Sequence, residues 1–435
     1  MHNILFWFRN DLRVHDNEAF LKASLAGRVI PVYIFDERQF QDNYLGHKKT
    51  GIRRAQFMIE AVLNLRNTLR HLGSDLVIQH GIPEDILATM AYDLDAKEIF
   101  ASKEITQEET NVEANLSRKL KPLNIDIELI WGATLYHVRD LPFQIHFLPD
   151  TFSDYRKKIE IGAKVRPVLP APTHLHALPE VNLGDAPTLK ELGYTDELPE
   201  THPNSAFPFK GGETEALNRL NDYIWKKDLL KDYKNTRNEL LGSDYSSKLS
   251  AWLSIGCISP RRVYEEVKRY ESEKIANEST YWLIFELLWR DFFYLIALKY
   301  GTRIFKIKGI KYDLLKQWKR SKPEFKKWAE GKTGVPFVDA NMKELNETGY
   351  LSNRGRQIVA SYLAKDLGIS WTWGATYFEC QLIDYHASTN WGNWNYVAGV
   401  GNDPQTDRHF NIETQKQKYD PNDEYTLLWA AFSKN

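Results

Sequence analysis

An α/β unit followed by an all-α unit is the fold this sequence predicts, and three observations carry the prediction. Short β-rich apolar runs alternate with helical stretches through the first third, prolines crowd residues 166 to 210, and only helix-period patterns remain beyond Gly212. The 435 residues, 43% hydrophobic and 26% charged, make a globular chain with room for two or three domains.

The strand-like runs come in the order NILFWF, VIPVYIFD, DLVIQHG, EIFASK and DIELIWG. Helical stretches such as GIRRAQFMIEAVLNLRNTLRHLG and TQEETNVEANLSRKLKPL lie between them. Strand then helix, repeated, implies a parallel sheet covered on both faces, with ligands expected at the carboxyl ends of its strands. The turn after the first strand, RNDLRVHDN, has no glycine fingerprint, and no GxxxxGK[ST] occurs, which argues against an ordinary dinucleotide or P-loop site. From Pro167 to Pro208 the chain reads as a long connector. Helices follow as EALNRLNDYIWKKDLL, SPRRVYEEVKRYESEK, STYWLIFELLWRDFFYLIALKY and SNRGRQIVASYLAKDLG, and eleven of the 13 tryptophans fall in this half. The expected divisions are residues 1–135 for the α/β domain, 136–212 for the connector and 213–435 for the helical domain.

Composition excludes several classes. No apolar run reaches membrane-spanning length and MHNILFWFRNDLR lacks the pattern of a signal peptide, so a soluble, cytoplasmic protein is expected. Cys257 and Cys380 are too few for a disulfide framework or a metal knuckle, and with no HExxH no metal site is expected. The net charge of -1 carries no global polyanion signature, yet residues 299–328 hold 11 basic side chains against Asp313 and Glu324. Interleaved with Tyr312, Trp318 and Trp328, that run reads either as a solvated face or as a strand-binding surface.

Four stretches concentrate chemistry. In DYSSKLSAWL, Ser246, Ser247 and Ser250 serve as helix N-caps, as hydroxyl donors at a helix N-terminus suited to phosphate, or as both. In FELLWRDFF, Glu286 and Arg290 stand four apart on one helix face beside Trp289, an i, i+4 pair among apolar neighbours where a carboxylate is costly without a task. Asn353, Arg354 and Arg356 open a helix and Asp384 closes the next helical run; an Arg356–Asp384 pair would be a core salt bridge or a way to hold an electron-accepting ring. NWGNWNYVAGVGND, beginning at Asn390, sets two tryptophans, a tyrosine and four asparagines between glycines, and reads as an aromatic loop packed around something flat.

Taken together, FWFRNDLRVHDNEA, KTGIRRAQF, YKNTRNELLGSDYSSKLSAWLSIGCISPR, YWLIFELLWRDFF, GKTGVPFVDANMKELNETGYLSNRGRQIVASYLAKDLG and QLIDYHASTNWGNWNYVAGVGNDP resemble the photolyase/cryptochrome family over essentially the whole chain. YKNTRN, SNRGRQ, NWGNWNYVAGVGNDP and the ending DRHFNIETQKQKYDPNDEYTLLW are most similar to cryptochrome DASH. The resemblance implies an N-terminal Rossmann-like antenna domain and a C-terminal helical domain holding U-shaped FAD. Carried over by residue, it puts Tyr233, Ser246, Ser247, Lys248, Leu249 and Ser250 on the phosphate side. Arg290, Arg356, Asp384 and Asn390 then lie along sugar and ring, with Asn390 at flavin N5. Trp394, Trp371 and Trp328 would be the proximal, middle and exposed members of an electron relay.

For the substrate, the resemblance implies that Glu286 hydrogen-bonds or protonates a pyrimidine dimer, Trp289 stacks on it and Asn353 contacts the bases. Gln357 stands where duplex photolyases usually have methionine, and Tyr396 where they have tryptophan; both weaken the hold on a flipped dimer and favour single strands. His386 occupies the place of a usual second aspartate and would titrate near neutral pH. Glu108 or Glu109 would hold 5,10-methenyltetrahydrofolate as antenna. The implied activity is light-driven splitting of cyclobutane pyrimidine dimers in single-stranded DNA, by an electron from reduced FAD, in a monomer with no membrane partner. A blue-light photoreceptor that binds DNA or RNA without efficient repair is the alternative. The histidine pair of animal-type 6-4 lyases is absent from SNRGRQ.

Overall fold

Residues 2–195, 197–405 and 408–430 are described by a computed structural model of the chain. Five parallel strands, β1 (Asn3–Phe8), β2 (Arg28–Asp36), β3 (Val77–Gly81), β4 (Ala96–Ser102) and β5 (Asp126–Ile130), form one sheet in the order β3-β2-β1-β4-β5. The order reverses beside β1, which is why the run NILFWF is apolar throughout: it is central and covered on both sides. Alternate residues face opposite layers. Ile4, Phe6 and Phe8 join the core on the side of the helices Glu18–Ala26 and Ile52–His71. Leu5 and Trp7 join the other, under Pro83–Asp93 and Gln107–Leu120. The first of these cores runs on without interruption into the helical half.

Between the helices Phe152–Gly162 and Glu213–Asn221 the described residues form no regular element, in keeping with their prolines. It is pinned to the sheet domain on the way: Leu175 donates its amide to Leu72 at 2.7 Å, and Leu183 accepts from Ile78 at 2.7 Å.

The carboxyl edge of β1, the expected ligand position, is filled by protein. Leu12 donates to the Ile255 carbonyl, Arg13 to that of Gly256 at 2.8 Å, and Glu213 accepts from the amides of Val14 and His15. Asp16, fully buried, pairs with Arg261 at 2.6 Å. Gly256, at φ +68°, has the Asn10 carbonyl 2.0 Å from where a Cβ would stand. The sheet domain thus presents this edge to the helical half as a docking surface.

The helical half is organised around Glu278–Tyr300, capped by a reciprocal Asn277/Thr280 box. Packed against it is the helix Ala387–Ala398, which corrects the expectation of an aromatic loop: residues 390–398 of NWGNWNYVAGVGND are helical. Gly392 is there for close approach, since a Cβ would lie 2.4 Å from the Phe293 ring, and Gly399 ends the helix at φ +75°. No helix among the described residues is long and apolar enough to cross a membrane. Residues 406–407 and 431–435, parts of the expected helical domain, lie outside the described residues.

Candidate active site

A cavity of about 560 Å³ opens in the helical half. Its walls bring together Tyr233, the run from Ser246 to Ser250, Glu286, Trp289, Arg290, Asn353, Arg356, Gln357, Asp384, His386, Asn390, Trp394 and Tyr396. These come from six separate segments of sequence, and the helices Glu278–Tyr300, Asn353–Ser361 and Ala387–Ala398 supply most of them. Arg237, Tyr245, Tyr350, Phe378, Arg408 and Phe410 also line it and were not anticipated.

On one wall Arg356 donates to Asp384 at 2.8 Å and to the Leu351 carbonyl at 2.8 Å. Among the described residues Asp384 Oδ1 is buried without a partner, as is Gln357 Oε1, also of the cavity lining. Asn390 donates its amide to the Ala375 carbonyl at 3.0 Å, which leaves its Oδ1 as an acceptor facing the cavity. On the phosphate side no side chain caps the short helix Ser250–Ser254, so the serines are not the N-caps the pattern also allowed. Lys248, at φ +62°, is buried with its Nζ over the Tyr245 ring and without a hydrogen-bond partner. Burial drives its ammonium well below the ordinary lysine range, against the pull of Glu344. A buried, unpartnered amine that a phosphate would restore to its charged form, with orphaned acceptors in the same cavity, suits a large ligand with phosphates at one end and a hydrogen-bonding ring at the other, and FAD fits that description.

Glu286 does not pair with Arg290 four residues on. It forms a short ion pair with Arg237, while Arg290 turns away to the carbonyls of Ala133 (2.6 Å) and Leu253 (3.2 Å). A helix spacing puts two side chains on one face but does not decide which other segments reach them, and the signal for Arg237 lay unread in YKNTRN. Burial nevertheless pushes the Glu286 carboxyl upward, Arg237 opposing. Trp289 stacks on Phe152 at 3.8 Å and meets Tyr396 edge to face at 5.7 Å; Asn353 is exposed at the mouth.

His386 is the second correction. It is buried, its Nε2 2.5 Å from the Tyr294 hydroxyl and its Nδ1 3.0 Å from that of Ser388. Burial, with Arg290 close by, lowers its pKa to about 3, so it is a neutral hydrogen-bonding group and does not titrate near neutrality.

Trp328 is the third. Expected at the surface, it is fully buried, with its ring 6.2 Å from that of Trp394. Packing of the helix Lys322–Ala329 turns it inward, and its indole donates to the Val359 carbonyl. Trp371 is buried too and meets Trp391 at 5.8 Å. Its helix touches Trp394 through Gly374, where a Cβ would fall 2.2 Å from the indole. The half-buried tryptophans on this side are Trp373 and Trp318, the latter next to Lys319, which bridges to Ile369 just before Trp371.

Glu108 and Glu109 stand in the first turn of Gln107–Leu120, outside this cavity. Glu108 is mostly exposed and pairs with Lys49; Glu109 accepts from the Thr106 hydroxyl.

Comparison with known proteins agrees with this geometry. Residues 4–175 match the DNA photolyase family, and residues 282–434 match the FAD binding domain of DNA photolyase. A cryptochrome DASH of Gloeobacter violaceus is 50% identical over 98% of this chain and 85% of its own, and one from Synechocystis is 48% identical over 99% and 88%. Among solved structures, the Synechocystis cryptochrome superposes with a TM-score of 0.95 at 47% identity, covering 99% of this chain and 88% of that one. A bacterial class III photolyase from Agrobacterium tumefaciens superposes with a TM-score of 0.86 at 28% identity, covering 99% and 87%.

Proposed function

The chain belongs to the photolyase/cryptochrome family, with relatives of the cryptochrome DASH type, and from that premise we propose that it splits cyclobutane pyrimidine dimers in single-stranded DNA under blue light. The observation that carries the reading is Glu286, a carboxyl pushed upward by burial, sharing one cavity with the Arg356–Asp384 pair and Asn390. Bound FAD, reduced and excited, would supply the electron that opens the cyclobutane ring and take it back afterwards.

The protein's own residues bind, orient and hold protons. Lys248 and the serines from Ser246 would take the phosphates. Asp384 Oδ1 would accept from the ligand, and Asn390 Oδ1, its amide tethered to Ala375, would accept a ring N–H. Arg356 keeps positive charge beside that ring. Across the cavity, Glu286 would donate a hydrogen bond or a proton to a dimer carbonyl, Trp289 would offer its ring, and Asn353 at the mouth would meet the bases. Gln357 and Tyr396 line the cavity with polar groups, which weakens the hold on a dimer flipped from a duplex and leaves single strands favoured.

The test is blue-light-dependent loss of a thymine dimer from matched single- and double-stranded oligonucleotides, with flavin reduced beforehand. Repair of the single strand alone is expected; repair of neither, with flavin bound and reducible, sinks the reading. The contact of Trp328 with Trp394 and of Trp371 with Trp391 supports a second reading, a blue-light receptor refilled with electrons through tryptophans. Its outlet would then be Trp318 or Trp373, and whichever of Trp318→Phe and Trp373→Phe slows photoreduction identifies it.

A further inference from the structure

A second cavity, of about 380 Å³, lies where the 235–241 segment meets the end of the helix Ile412–Tyr419 and the turn before Glu424–Ala430. Asn235, Asn238 and Asn422 line it with carboxamides, Tyr419 with a ring, and Glu239, Asp420 and Glu424 with carboxylates that outnumber the ammonium of Lys418. Asn238 accepts a long bond of 3.4 Å from Arg354, and no side-chain hydrogen bond holds Asn235, Glu239, Asn422 or Glu424 among the described residues.

Arg354, though it lines neither cavity, contacts a ring of each. Its guanidinium carbon is 4.7 Å from the ring of Tyr419, on one side, and 5.8 Å from that of Phe410, which lines the active-site cavity. Nε is buried without a partner, no carboxylate pairs with the group among the described residues, and desolvation lowers its pKa. A guanidinium held between two rings, with donors to spare, suits a phosphate.

We propose that the second cavity receives the base of a nucleotide neighbouring the dimer on the same strand, with the intervening phosphate on Arg354; this rests on the strand-binding reading above. Tyr419 supplies stacking, which any base satisfies. The carboxamides donate to or accept from any base edge, and the carboxylates accept from the N–H that each base carries, an exocyclic amine or a ring N–H, so the cavity takes a base without selecting one. The same carboxylates repel a phosphate from the cavity, so the base enters and the backbone stays on Arg354.

Oligonucleotides with one thymine dimer, made abasic in turn at each of the two positions on either side, are titrated against flavin-loaded protein in the dark. At one position the missing base is expected to weaken binding about tenfold, the weight of one stacked base. Tyr419→Ala should lose that sensitivity and Tyr419→Phe should keep it, with flavin content equal in all three proteins. Dimer-dependent binding that is indifferent to every neighbouring base, or sensitivity undiminished in Tyr419→Ala, overturns the inference and leaves the strand reading standing. If the unsubstituted protein binds the dimer no better than plain strand, both fall.

Discussion

The carboxyl edge of the sheet and the cavity of the helical half are both dense in charge, yet they differ in how that charge is satisfied. At the edge each side chain is held by protein: Asp16 has Arg261, Arg13 has the Gly256 carbonyl, Glu213 has two backbone amides and His15 Nδ1, and the atoms left over, Arg13 Nε and His15 Nε2, belong to groups already bonded through another nitrogen. In the cavity Lys248 Nζ, Asp384 Oδ1 and Gln357 Oε1 are buried and have none. Buried polar groups left unpaired are costly, so a wall that collects them is shaped for something other than the protein itself. The edge holds the two halves together; the cavity is the place for a ligand.

The most severe way to break this comparison is to substitute one buried ion pair in each region. Asp16→Ala leaves Arg261 unpaired and should cost about 3–5 kcal/mol in urea unfolding, with flavin per folded molecule unchanged. Arg356→Ala strands Asp384 and should cost a similar amount, but here flavin absorbance of the purified protein should also be lost. Equal flavin retention in the two variants would contradict the division of roles.

Next in size is Glu286→Gln. Flavin content should hold while the yield of dimer splitting falls about tenfold, one hydrogen bond to a charged or protonated group being removed. A variant that repairs as well as the parent would remove Glu286 from the proposed chemistry.

His386 sharpens the comparison through pH. Its folded pKa, about 3, lies below the ordinary histidine value near 6.5, so between these the unfolded chain binds a proton that the folded one does not. Stability contributed by the neutral, buried imidazole is therefore complete above the unfolded pKa and is lost as pH falls toward 3. The slope is about 1.4 kcal/mol per pH unit. Urea unfolding between pH 7 and pH 5 should show His386→Asn with a shallower acid-side decline than the parent. Parallel curves would mean the imidazole is charged when folded.

Smaller effects are expected of Gly392→Ala, which forces a Cβ against Phe293 and should cost about 1–3 kcal/mol, read as a lower thermal midpoint. Smallest is Glu108→Gln, which removes an exposed pair with Lys49 and should change stability by less than about 1 kcal/mol.

Much of this molecule is legible in its sequence. All five strands, the irregular proline-rich stretch and the helices Ile52–His71 and Glu278–Tyr300 follow from apolar periodicity, and the motif blocks carry part of the cavity wall, though not Arg237, Tyr245, Tyr350, Phe378, Arg408 or Phe410. These are local properties: hydrophobic spacing decides which face is buried wherever the segment ends up. What tertiary structure alone decided is which group meets which. Glu286 reaches Arg237 instead of Arg290, His386 is kept neutral by its burial and the nearby Arg290, Trp328 faces inward, and an asparagine- and glycine-rich stretch is helical, with Gly392 packed against Phe293. Pairing, charge state and exposure depend on neighbours far away in the chain, and no spacing within a segment encodes them.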